Sequence, residues 1–126
     1  MKENIAVEKS YCFALKVIKT HLYLVKAQNE FVLSKQFLRS GTSVGANLEE
    51  AAGAQTRADF VHKIHIALKE AREVNLWIRL LRDAYLLTKQ MSADLINDSL
   101  EIIRILTKTL ITCKYNDNKS QITNNK

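Results

Sequence analysis

Apolar residues return every three or four positions through most of this chain, and four helical stretches follow from that period. In the first, about 6–26, Tyr11, Leu15, Ile18, Leu22 and Val25 share the expected core face. The second, about 30–54, places Leu33, Phe37, Val44, Leu48 and Ala51 together. The third, about 57–88, carries Phe60, Ile64, Ala67, Ala71, Val74, Ile78, Leu81 and Tyr85. The fourth, about 93–114, has Ile96, Leu100, Ile103 and Leu110 on one face and Leu95, Ile102, Leu106 and Cys113 on an adjoining one. The punctuation fits these bounds. Asn29, Thr56 and Ser92 can cap helix N-termini, with Asp59 completing a short-armed capping box after Thr56. Gly53 can end the second helix. Short connections make neighbours antiparallel. The expected fold class is therefore all-α, an antiparallel up-down-up-down four-helix bundle over 1–114, about 30–45 Å long. The polar, Asn-rich stretch 115–126 is expected to be disordered.

The second stretch has more than one marked face. Gln36, Ser40, Ser43, Asn47 and Glu50 recur at steps of four and three, so they line one side. Ser34, Gly41, Gly45 and Ala52 form a face of small residues. A helix with three differentiated faces belongs among several neighbours. Gly41-Thr42-Ser43-Val44-Gly45 lacks the Gly-Lys-Ser/Thr ending of a phosphate loop and lies within helical periodicity. Close helix packing is the expected use of its glycines, at about 1 kcal/mol of helix propensity each.

Apolar surface also exceeds what one bundle needs. Leu76, Trp77, Leu80 and Leu87 lie away from the third helix's main stripe. Surplus of this kind marks an interface, so they are the expected contact between copies, with Trp77 as its anchor, the alternative being a wide core stripe within a monomer.

Composition narrows the class. There is no proline and there are three glycines, too few turn residues for a β-sandwich. No apolar run approaches the roughly 18 residues of a membrane span. The start, MKENIAVEKS, lacks a signal peptide's apolar centre. A cytoplasmic protein is expected. The formal charge of +6 is concentrated in residues 1–28, with five basic and two acidic side chains, and in residues 56–90, with seven and four. Lys9, Lys16, Lys19 and Lys26 fall within about a third of the first helix's circumference. Arg57, Arg72, Arg79, Arg82 and His65 gather on one side of the third. Repeated around an oligomer, such patches suit the phosphates of RNA or DNA. Lys9, Lys16, Lys19, Lys26, Arg72 and Arg79 are the candidate contacts, against the plainer reading of solvated faces. No base-reading motif or aromatic platform is evident.

Catalytic chemistry finds little footing. Di-iron bundles need Glu-x-x-His, which is absent. His62 and His65, one turn apart, supply too few ligands for a metal. No serine has a nucleophile elbow and no cysteine a strained turn. Cys12 and Cys113 are expected as free, buried thiols, with a disulfide as the alternative. Glu49, Glu50, Glu70 and Glu73 are expected to pair between helices with Arg39, Arg57 and Arg72. No catalytic, cofactor or metal residue is assigned, and a metal-dependent enzyme is the weak third reading.

The stretch from Ser34 to Ala51, SKQFLRSGTSVGANLEEA, resembles the signature of four-helix bundle proteins related to those encoded in intervening sequences of bacterial large-subunit ribosomal RNA genes. That pattern runs roughly Ser-x-Gln-Leu-x-Arg-(Ser/Ala)-x-x-Ser-Ile-x-Ala-Asn-Ile-x-Glu-Gly. Asp59-Phe60 and the Ala67-to-Glu73 stretch ALKEARE occupy the following family positions, so the likeness spans roughly 8–88. Gly45 replaces a common proline, and Ala51 a common glycine. The resemblance implies an up-down bundle assembled as an open-centred homopentamer. The chain is similar also to the accessory variability protein of diversity-generating retroelements, a basic pentamer that partners a reverse transcriptase and nucleic acid. Implied partners are therefore other copies, RNA or DNA, and a protein such as a reverse transcriptase. No catalytic residues carry over. Gln36, Arg39, Ser43, Asn47 and Glu50 are expected to hydrogen-bond between helices or subunits. The expected function is a non-enzymatic, oligomeric bundle that binds a macromolecular partner. The alternative is a structural or protein-interaction subunit without nucleic-acid affinity.

Overall fold

The computed structural model describes residues 5–124, with side chains through residue 119. It has four helices: α1 (Ile5–Lys26), α2 (Leu33–Ala52), α3 (Arg57–Asp83) and α4 (Lys89–Asn124). No strand occurs among the described residues. Each helix packs on its chain neighbours, and α1 also meets α4, less closely. This leaves α1 and α3 at opposite corners.

Cross-helix contacts fix the directions. Val17 of α1 faces Gly41 of α2, and His21 Nδ1 lies 3.2 Å from the Ser34 carbonyl oxygen. Arg39 of α2 meets Glu70 of α3, while the later Glu50 meets the earlier Lys63. Asn75 of α3 donates to Ser99 of α4, and the earlier Arg57 to the later Asp117. Lys16 of α1 binds Asp98 of α4. Numbers rise on one helix as they fall on the next, so the bundle is up-down-up-down. One end therefore gathers the loops at 27–32 and 84–88.

The α3 stripe forms the core as expected from Ile64 to Leu81, joined by Phe37, Val44 and Leu48 of α2 and by Leu95, Ile102 and Leu106 of α4. On α1 the expectation fails. Its buried residues are Ser10, Phe13, Val17, Thr20 and Leu24, whereas Tyr11, Leu15, Ile18 and Leu22 are exposed. The physical reason is local satisfaction of hydroxyls. Ser10 Oγ donates to the Val7 carbonyl at 2.8 Å and Thr20 Oγ1 to that of Lys16 at 2.8 Å. A hydroxyl bonded to its own helix is buried at little cost, and its small size lets α2 come close.

Several boundaries also move. Asn29 lies in the α1–α2 connection with φ 54°, and it does not cap α2. The Glu30 carboxylate does so instead, accepting from the backbone N–H groups of Val32, Leu33 and Ser34 at 3.1, 2.7 and 3.1 Å. A negative group there also suits the helix dipole. Thr56 caps α3 as expected, its hydroxyl accepting from the Asp59 N–H at 3.1 Å. α3 stops at Asp83, and Tyr85 leaves the stripe at φ 61°. Thr88 caps α4 in place of Ser92, which is buried and bonds the carbonyls of Thr88 and Lys89. α4 continues beyond Lys114 to Asn124, where disorder was expected. Extending a formed helix avoids a new nucleation step. Arg57 ties these turns to α3 through Asp117 at 2.7 Å and the Cys113 carbonyl at 3.1 Å. Residues 125 and 126 of the expected tail lie outside the described residues.

Candidate interaction surfaces

The polar side of α2 resolves into two kinds of position. Arg39 and Glu50 reach across to α3. The Arg39 guanidinium bridges Glu70, at 3.0 Å, and Glu73, while its Nε donates to Gln36 at 3.1 Å. The Trp77 indole N–H adds a bond to Glu73 at 3.1 Å. Glu70 is buried, so this guanidinium is what compensates its charge. Glu50 accepts from Lys63 at 2.7 Å, and hydrogen bonding to that carboxylate raises the Lys63 pKa above the ordinary lysine value. Ser40 and Asn47 instead bond within α2. Ser40 donates to the Gln36 and Phe37 carbonyls, and Asn47 to that of Ser43 at 2.9 Å. Three of the four small residues of α2 meet α1, where Ser34 lies beside His21, Gly41 packs on Val17 and Gly45 lies near Ser10, while Ala52 is exposed.

The basic candidates divide as well. Lys9 pairs with Glu101, and Lys16 with Asp98 at 2.7 Å and Asp94 at 3.1 Å. The hydrogen bond to Glu101 raises the Lys9 pKa and holds the Glu101 carboxyl below its ordinary value. Bonds to Asp98 and then Asp94 raise that of Lys16. These two lysines clasp α1 to α4 along an open groove of about 330 Å³ that also holds Cys12. Arg79 Nε donates to Asn75 Oδ1 at 2.9 Å, the same amide that donates to Ser99. Lys19, Lys26 and Arg72 are exposed and have no ion pair among the described residues.

The apolar candidates need one correction. Leu76 and Leu80 are exposed on α3, and Trp77 is half-buried against the core. Leu87 is not a surface residue; it is only 6% exposed and belongs to the core. It follows the end of α3, so the helical phase that predicts an outward direction no longer applies to it. The larger apolar surface is the one assigned to the core by periodicity. Tyr11, Leu15, Ile18 and Leu22 of α1 are 62, 45, 41 and 44% exposed. They follow one another at three- and four-residue steps, so they form a continuous line along the outside.

Both cysteines are free, but Cys12 is exposed and Cys113 half-buried, against the expectation of buried thiols. The α1 helix turns Cys12 away from Phe13, the true core position. His62 and His65 are exposed. No group of three His, Cys, Asp or Glu side chains among the described residues is placed to hold a metal ion. No helix among the described residues is long and apolar enough to cross a membrane.

The family model described as 23S rRNA-intervening sequence protein matches residues 2–108. No curated protein matches the chain significantly. A crystal structure at 1.70 Å resolution of a protein with unknown function from the S23 ribosomal protein family of Bacteroides thetaiotaomicron VPI-5482 is 46% identical. It superposes with a TM-score of 0.85, over 87% of this chain and 98% of that one.

Proposed function

Because the chain belongs to the 23S rRNA-intervening sequence protein family, we propose that it is a non-catalytic, self-associating helical bundle of the cytoplasm that holds nucleic acid. The observation that carries this reading is the exposed line Tyr11–Leu15–Ile18–Leu22. A contiguous apolar surface of that kind is characteristic of a contact with another macromolecule. Leu76 and Leu80 give a second, smaller apolar spot on α3, at the corner diagonal to α1. Unlike faces on opposite sides favour a head-to-tail contact, which makes a ring where the rotation between copies closes and an open filament where it does not. A homopentamer is the ring that the family resemblance implies.

The net charge of +6 and the unpaired Lys19, Lys26 and Arg72 support phosphate binding. A purely structural role is favoured by a different observation: Lys9 and Lys16 already spend their charge on α4 carboxylates. Titration of a labelled RNA hairpin and a DNA duplex with the full chain separates the two. Phosphate binding gives a log–log dependence on salt that falls steeply between about 50 and 200 mM. No binding of either probe at about 50 mM salt would leave the structural role.

A further inference from the structure

Two aromatic side chains stand out at one end of the bundle. Tyr85, in the α3–α4 loop, is 91% exposed, and Phe31, in the α1–α2 loop, is 58% exposed. The antiparallel order puts both loops at the same end. The only two non-glycine residues with positive φ among those described, Asn29 and Tyr85, lie in these same loops. Tyr85 is the more unusual of the two. The Leu86 N–H bonds the Leu81 carbonyl at 2.9 Å and the Tyr85 N–H that of Arg82 at 3.0 Å. This is the Schellman arrangement, in which the left-handed position is the one glycine fills at least cost. Asparagine tolerates such a conformation, as Asn29 does, but a bulky ring is strained in it. The helix stop alone does not call for tyrosine, and the ring gains almost no burial in return.

The same end carries cations. Lys26 closes α1 and Lys89 opens α4, and neither has an ion-pair partner among the described residues. Of the nearby acids, Glu30 is occupied by the backbone N–H groups of α2 and Asp83 by Arg82 at 2.8 Å. Exposed rings flanked by free lysines are the equipment that unpaired nucleic acid requires. Bases stack on the aromatic faces while the cations follow the phosphates. The sequence shows no aromatic platform because Phe31 and Tyr85 are far apart along the chain; the antiparallel fold places their loops at the same end of the bundle.

We propose that this loop end is a contact site for an unpaired stretch of nucleic acid, with Tyr85 as the principal stacking surface, Phe31 as the second, and Lys26 and Lys89 at the phosphates. It rests on the nucleic-acid reading above and adds the strandedness of the ligand and its place on the bundle. The test is fluorescence anisotropy with oligouridylate and oligothymidylate of about twelve nucleotides and with a duplex of equal length, using the full chain. Tyr85→Gly, which relieves the left-handed strain and so keeps the fold, is expected to weaken single-strand binding about tenfold and leave duplex binding unchanged. Tyr85→Phe retains the ring and is expected to bind like the wild type. Preference between the two single strands shows whether the ligand is RNA or DNA. Single-strand affinity unchanged in Tyr85→Gly, or duplex binding only, overturns the site and leaves the broader reading standing. No binding of any probe by the wild type overturns both.

Discussion

Val17 of α1 lies directly on the bare Cα of Gly41 in α2. A methyl group built there would sit 2.7 Å from Val17 Cγ1 and 2.8 Å from Cγ2. Val17 is fully buried and β-branched, so it cannot swing aside. Gly41→Ala gains about 1 kcal/mol of helix propensity but meets an overpacking cost of about 1–3 kcal/mol. The expected result is a net loss of about 1 kcal/mol, read by urea denaturation.

Gly45 is the internal control. Its missing Cβ would lie 3.5 Å from Ser10 Oγ, an ordinary contact. Gly45→Ala should therefore stabilise the fold by about 0.5–1 kcal/mol. Equal effects from the two alanines would show that α1 and α2 are not so closely apposed at Gly41.

Tyr85→Gly should also stabilise. Removing a left-handed side chain relieves about 1–2 kcal/mol, and the freer unfolded glycine takes back about 0.4–1 kcal/mol. A rise of about 0.5–1 kcal/mol in unfolding free energy is expected. Destabilisation would mean that the ring packs on something in the free protein.

The α1–α4 clasp makes a pH prediction. Glu101 has its pKa lowered by Lys9, so its stabilising contribution is complete above the ordinary carboxylate value and is lost as the pH falls through the lowered one. Wild type and Glu101→Gln should differ in stability at neutral pH and converge in acid. A constant difference across the titration would remove the ion pair from the account. A double-mutant cycle on Lys16 and Asp98 should give less than about 1 kcal/mol, because both are partly solvated.

Much of the bundle is readable from spacing. The α3 stripe from Ile64 to Leu81, the Thr56 cap and the Ser34, Gly41 and Gly45 part of the small face of α2 follow from periodicity and side-chain chemistry, whereas Ala52 of that face is exposed. The face of α1 does not. Periodicity finds the larger apolar residues Tyr11, Leu15, Ile18 and Leu22, but it cannot distinguish a surface that meets the bundle from one that meets something else. The bundle takes Phe13, Val17 and Leu24 with Ser10 and Thr20 between them. The hydroxyls look polar in sequence and are neutral in the fold because their own helix satisfies them. Among the candidate cations, ion pairing was equally invisible: Lys9 and Lys16 share a face with Lys19 and Lys26, and only their partners on α4 set them apart.

Sedimentation equilibrium of the full chain at micromolar concentration tests the central claim most directly, beside an Ile18→Glu variant. The chain should sediment as a discrete species several times its 14.4 kDa protomer mass. Ile18→Glu, which charges an already exposed position, should fall to the protomer mass with its helical circular dichroism intact. A wild-type chain that sediments at 14.4 kDa would contradict the account, because the line from Tyr11 to Leu22 would then face water alone.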